Sequence, residues 1–256
     1  MNRIKQLFEH KQQDIVSIYI TAGFPKLNDT LSIVKGLDEA GVDMIEIGFP
    51  FSDPLADGPV IQQSSEQAIA NGMTLKILFN QLKELRAITK LPIVLMGYLN
   101  PVLQFGETEF IEKCHETGID GIIIPDMPLA YYQENLQQLC KEKDISNILL
   151  ITPQTSQERI HEIDDNSDGF IYMVSSNSIT GGTTGTVFQK EYLERTQNMK
   201  LNNNRLIGFG IHDNASFKNA SNYGSGCIIG SAFINHIAKN GTSKESIKHF
   251  VDSIIK

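Results

Sequence analysis

The feature that most constrains this chain is a repeated pair of segments, a short apolar run followed by a polar turn and an amphipathic stretch. The runs are IVSIYIT (15–21), MIEIG (44–48), PIVLMGY (92–98), GIIIP (121–125), NILLIT (147–152), FIYMVS (170–175), RLIGFG (205–210) and GCIIG (226–230). They are rich in Ile, Val and Leu and mostly do not alternate with polar residues, as strands buried on both faces require. Helix-like segments lie between them: Asn28–Ala40, Leu75–Ile88, Thr108–Glu116, Leu129–Lys141, Gln157–Asp164, Phe188–Gln197, Asn214–Asn222 and Ser243–Ile255. Asn28 or Asp29 is placed to cap the first of these. Strands alternating with helices imply parallel pairing through right-handed crossovers. Eight such units in 256 residues is the arithmetic of an α/β (β/α)8 TIM barrel, with a doubly wound open sheet as the alternative. Ile4, Leu7 and Phe8 predict an extra N-terminal helix that plugs the barrel's N-terminal end. No linker, low-complexity stretch or composition shift divides the chain, so 1–256 is expected to be a single TIM-barrel domain.

Composition narrows the function classes. With 22 Lys+Arg against 30 Asp+Glu the formal net charge is −8, which argues against nucleic acid or an anionic membrane as the main partner. A small phosphate ligand stays possible, because a local site can be positive on an acidic protein. The three cysteines, Cys114, Cys140 and Cys227, form no CxxC pair and suggest neither a disulfide framework nor a zinc site. The charged opening MNRIKQLFEHKQQ has no apolar core of a signal peptide, and no apolar run approaches a membrane span. A cytoplasmic protein is expected.

In a barrel, chemistry belongs at the C-terminal ends of the strands. No Lys ends any strand, which argues against a Schiff base. No His/Cys/carboxylate cluster stands there either, so no metal site is expected. Carboxylates and tyrosines remain, which points to general acid–base chemistry. Glu46 sits between Ile45 and Ile47 in the middle of a buried run. An ionised carboxylate there is costly, so it must be paired or have a raised pKa. Its parity with Met44 and Gly48 places it in the barrel lumen; a structural or solvent-facing Glu is the alternative. Asp57 follows in a Pro-stiffened loop, where it can face Glu46 or simply form a turn with Gly58.

Gly208-Phe209-Gly210 ends the seventh run, and Gly230-Ser231 ends the eighth and opens a helix. Barrels commonly hold phosphate at this position on a helix N-terminus. No Lys or Arg lies within 206–216 or 226–238, so backbone N–H groups would hold the anion. The polar run Ser175 to Thr186 reads as a mobile lid over the site, or as a plain surface loop.

At IEIGFPFSDPLADGPVIQ (45–62) the sequence resembles the tryptophan synthase alpha subunit family. The resemblance extends through YITAGFP, LMGYLNP, IIIPDMP, IYMVS, IGFGI and IIGSA over essentially the whole chain. It implies a lyase of L-tryptophan biosynthesis that cleaves indole-3-glycerol phosphate to indole and glyceraldehyde 3-phosphate by a retro-aldol reaction. It implies Glu46 and Asp57 as the catalytic carboxylates. Gly181, Gly208, Gly210, Gly230 and Ser231 match the phosphate site. Tyr19, Ile61, Tyr98, Tyr172 and Phe209 match the indole pocket or its wall, and Thr180 matches the lid threonine. The family often carries Ser-Arg-x-Gly-Val-Thr-Gly at the lid, where this chain has Ser175-Ser176-Asn177-Ser178-Ile179-Thr180-Gly181. The resemblance further implies no cofactor in this subunit and a PLP-dependent beta subunit as partner, in an alpha2beta2 heterotetramer. The surface around Ser52–Asp57, Asn100-Pro101 and Met127-Pro128 would dock it. Another phosphate-binding barrel enzyme, or a barrel kept only to activate a partner, are the competing readings.

Overall fold

The computed structural model describes residues 2–174, 183–208 and 210–256. Its strands are β1 (Ile15–Thr21), β2 (Met44–Gly48), β3 (Ile93–Met96), β4 (Gly121–Ile123), β5 (Ser146–Asn147), β6 (Leu149–Ile151), β7 (Phe170–Val174), β8 (Asn204–Gly208) and β9 (Gly226–Ile229). They form one sheet in the order β5-β4-β3-β2-β1-β9-β8-β7-β6, with every pairing parallel. The predicted 147–152 run is two short strands, β5, which begins one residue before it at Ser146, and β6, separated by Ile148. The first pairs with β4 and the second with β7, so the two edges of the sheet meet on one stretch of chain and the barrel closes. Closure removes the exposed edges an open sheet would have.

Alternation along the strands sorts the core into two parts. Ile18, Ile20, Ile45 and Ile47 point outward into the layer between sheet and helices. Ile15, Met44, Val94, Ile123, Phe170, Tyr172, Leu206 and Ile228 fill the lumen. The N-terminal helix Arg3–His10 joins the lumen cluster through Ile4 and Phe8, as the plug predicted from those residues. Its N-cap, Asn2, accepts from the Ile4 amide and donates to the backbone oxygens of Asp120 and Asp144 at the barrel's lower rim.

The helices depart from expectation in several places. Leu75–Ile88 divides into Leu75–Leu82 and Leu85–Ile88, and Leu129–Lys141 into Leu129–Asn135 and Gln137–Glu142. Asp29 is the N-cap of Thr30–Ala40, but its side chain makes no capping bond. The helix predicted from Phe188 begins at Thr183, inside the segment expected to be a lid. Helices Pro59–Ala70 and Leu99–Phe105 were not anticipated. The former opens on Gly58 and a Pro in the first turn, which reads as loop although Pro is at home there.

Candidate active site

Glu46 stands in the middle of β2, with Tyr19 of β1 and Val94 of β3 as its register partners. It shares the lumen-facing parity of Met44, and it is 0% exposed. Ser17, two positions before Tyr19 on the same face of β1, donates its hydroxyl to Glu46 Oε1 at 3.2 Å. Glu46 Oε2 has no hydrogen-bond partner among the described residues. Removal from water, only partly offset by Ser17, pushes the Glu46 carboxyl up to about 8.

Asp57 approaches from the loop after β2. The loop is held by its own chain: the Leu55 amide donates to Asp53 O, the Asp57 amide to Pro54 O, and Gln62 Nε2 to Asp57 O. Tyr98, just past β3, braces it from the neighbouring strand. The Ala56 amide donates to Tyr98 Oη at 3.0 Å, and Tyr98 Oη donates to Asp57 Oδ2 at 3.2 Å. The Tyr98 ring also packs on Phe51 at 5.2 Å between centroids. Partial burial pushes Asp57 up to about 6, with the Tyr98 hydroxyl acting in the opposite direction.

A cavity of about 270 Å³ opens at the C-terminal end of the barrel. Of the sequence-predicted residues, Tyr19, Asp57, Ile61, Tyr172, Gly210, Gly230 and Ser231 line it together. Glu46 lies one layer deeper, within electrostatic reach of both Tyr19 and Tyr172. Tyr98 contributes through Asp57 instead of the cavity wall. Gly208 is occupied otherwise: a Cβ there would overlap the Tyr172 ring, so it makes room for that side chain. Thr180, Gly181 and Phe209 lie outside the described residues.

Sequence reasoning did not assign Met96, Ile211, His212, Ile228, Ala232 and Asn235 to this cavity. Strand parity could have found Met96 and Ile228, and a one-turn step from Ser231 could have found Asn235. Among the described residues, no three His, Cys, Asp or Glu stand close enough to hold a metal ion.

The helix Ser231–Asn240 begins at the cavity wall, and its N-cap Gly230 provides no side-chain cap. Its first-turn amides are therefore available to an anion. The site thus joins a deeply buried carboxyl pushed up to about 8, a second carboxyl on the cavity wall pushed up to about 6, aromatic walls and a helix N-terminus. Such a set can move protons on an aromatic substrate that also bears a phosphate.

Comparison with known proteins agrees. A sequence model described as tryptophan synthase alpha chain matches residues 4–254. The tryptophan synthase alpha chain of Flavobacterium psychrophilum is 52% identical over 255 residues, covering 99% of this chain and 100% of the relative. That of Christiangramia forsetii is 54% identical over 244 residues, covering 95% of each. A solved tryptophan synthase complex from Pyrococcus furiosus contains a chain that superposes with a TM-score of 0.85 at 33% identity, covering 95% of this chain and 98% of that one. Matching along nearly its full length, at about half identity to such relatives, this chain belongs to the tryptophan synthase alpha chain family.

Proposed function

We propose that Glu46 and Asp57 are the two carboxyl groups that carry this family's reaction, retro-aldol cleavage of indole-3-glycerol phosphate to indole and glyceraldehyde 3-phosphate in L-tryptophan biosynthesis. One observation carries the assignment. Glu46 is sealed one layer below the cavity and Asp57 stands on its wall, and burial pushes the first carboxyl up to about 8 and the second only to about 6. Such a separation assigns an acid and an anion to their roles. Glu46, protonated, gives its proton to C3 of the indole ring, and the ring becomes a cationic indolenine. Asp57, ionised, accepts a hydrogen bond from the ring N–H and stabilises that cation. Glu46, now a carboxylate, takes the proton of the glycerol hydroxyl next to the breaking bond. The C–C bond breaks, its electron pair returns to the ring, and indole and the aldehyde separate. The proton count closes on Glu46.

The remaining residues bind. Tyr19, Ile61, Tyr98, Tyr172 and Phe209 would flank the indole. Gly181, Gly208, Gly210, Gly230 and Ser231 would receive the phosphate, with Thr180 closing toward Asp57. The first-turn amides of Ser231–Asn240 explain how a chain of net charge −8 would hold a dianion without a nearby Lys or Arg. Nothing in this scheme calls for a cofactor in this chain; PLP belongs to the partner beta subunit.

That partner would dock on the cavity's own face. Leu55, in the loop that carries Asp57, is 90% exposed, well above Leu103 at 45%, the next most exposed large apolar side chain among the described residues. A partner covering Leu55 would press directly on the backbone that positions Asp57. This supports a partner seated on the loop, and the proposed assembly is the alpha2beta2 complex with the beta subunit. Among the described residues no helix is long and apolar enough to cross a membrane.

The test is indole release from indole-3-glycerol phosphate by the purified chain, alone and with a beta subunit. Weak activity alone, stimulation by the partner, and a fall of about a thousandfold or more in Glu46→Gln and Asp57→Asn are expected. Near-normal turnover by Glu46→Gln would remove it from the mechanism.

A further inference from the structure

The Glu46 carboxyl has two oxygens in different situations. Oε1 accepts from Ser17, and Oε2 is bare. Ser17 is itself 0% exposed, and its hydroxyl makes no other hydrogen bond among the described residues. A neutral carboxyl could in principle carry its proton on either oxygen. If the proton sat on Oε1 and were donated to Ser17, the hydroxyl's own proton would be left without an acceptor in a fully buried site. Such an orphan is costly. Placing the proton on Oε2 lets Ser17 donate to Oε1, and the one unpaired O–H is then the carboxyl's own, the proton that the reaction passes on.

We propose that Ser17 is a positioning residue for Glu46, whose hydroxyl fixes one carboxyl oxygen and thereby assigns the transferable proton to the other. The proposal rests on the reading of Glu46 as the proton carrier. In the reaction the Oε2–H bond breaks as the C3–H bond forms, and Oε2 later takes the hydroxyl proton. Ser17 gives up no proton in either step. Its donation also stabilises the carboxylate formed in between, because a hydrogen bond to the charged form favours it. Two other titratable groups lie within electrostatic reach of Glu46, Tyr19 from β1 and Tyr172 from β7, and Asp57, from the loop after β2, lies within reach of the same two tyrosines. Burial pushes both tyrosines up and keeps them neutral near pH 7. Val94, the register partner on β3, is apolar.

The experiment compares Ser17→Ala and Ser17→Thr with the parent chain in its complex with a beta subunit. Two readouts are taken. One is the pH dependence of kcat and KM. The other is the carboxyl 13C resonance of Glu46 in protein labelled at Glu Cδ, identified by its loss in Glu46→Gln. Removing the hydroxyl should lower kcat about tenfold with KM changed less than about twofold, because the contact acts on proton transfer and not on binding. The Glu46 midpoint and the upper limb of the kcat profile should both move to higher pH, since a donor to the carboxylate has been lost. Ser17→Thr, which keeps the hydroxyl, should restore the parent midpoint. An unmoved midpoint in Ser17→Ala overturns the role given to Ser17, even where Glu46→Gln is inactive. A fully active Glu46→Gln overturns the reading of Glu46 itself.

Discussion

Glu46 and Asp57 are eleven positions apart in sequence and belong to different environments. Glu46 is sealed in the lumen and pushed up to about 8, whereas Asp57 lies in a loop partly open to water and reaches only about 6. The signs fix the pH dependence. Glu46 works from its protonated form, which is lost as pH rises through 8. Asp57 works from its ionised form, which is lost as pH falls through 6. The free enzyme should therefore give a bell-shaped kcat/KM profile with limbs near those values. Tyr98 offers a check, because its donation to Asp57 favours the carboxylate. In Tyr98→Phe the acid limb should move to higher pH while the alkaline limb stays, and an acid limb that does not move would separate it from Asp57. Glu46 was legible in the sequence because a charge inside IEIG is an anomaly that needs an explanation. Ser17 was not, since a Ser in an apolar strand is ordinary until its partner across the sheet is known. The wall positions Met96 and Asn235 were hidden for a similar reason: nothing in their type marks them, only their parity and turn position.

At the level of elements, the strand ends show why glycine recurs around the site. Gly48 closes β2 beneath the Tyr19 ring, Gly97 follows β3 beneath Phe49, and Gly208 closes β8 beneath Tyr172. In each case a Cβ would fall inside the ring of an aromatic residue from a neighbouring segment. The glycines are thus the hollows into which these rings settle, two of them, Tyr19 and Tyr172, being walls of the cavity. Gly48→Ala should displace Tyr19 and cost about 1–3 kcal/mol, since overpacking a buried contact forces side chains off their rotamers. The cost should nearly vanish in a Tyr19→Ala background, where the ring that meets the new methyl is gone. An equal loss of stability in both backgrounds, measured by thermal unfolding, would show that the ring is not what excludes the side chain. The strands were readable because runs buried on both faces are apolar without interruption. Helix breaks were not: Leu75–Ile88 keeps its apolar spacing through Lys83 and Glu84, although one helix ends at Leu82 and the next begins at Leu85. Helix Pro59–Ala70 was masked by the Pro and Asp residues that also build the Asp57 loop.

The whole barrel divides its labour between two ends. The C-terminal end holds the cavity and its carboxyls, and the N-terminal end holds the plug helix. The lower end is tied by Asp120, which lies just before β4 and is almost wholly buried. Its Oδ1 accepts from Arg3 Nη1 at 2.9 Å, and its Oδ2 accepts from Arg86 Nη2 at 2.7 Å and from the Ile93 amide at 2.9 Å. Its backbone oxygen accepts from Asn2 at the cap of the plug. One carboxylate thus joins the plug helix, the start of β3 and the helix Leu85–Ile88. Removing it leaves the largely buried Arg86 guanidinium without its anion, and the Ile93 amide without its acceptor. Breaking such a pair by removing one partner is far costlier than the pair's net contribution suggests. Asp120→Ala should lose about 3 kcal/mol, or roughly 6–12 °C in Tm for a chain of this size. Among the described residues neither Glu46 nor Asp57 has a hydrogen bond or ion pair to Asp120, Arg3 or Arg86, so kcat of the folded variant at 25 °C should stay within about twofold of the parent. A large fall in kcat with Tm unchanged would mean that the lower rim acts on the chemistry. A fall in Tm with kcat preserved would place Asp120 in the scaffold, where the fold of a (β/α)8 barrel assigns its N-terminal face.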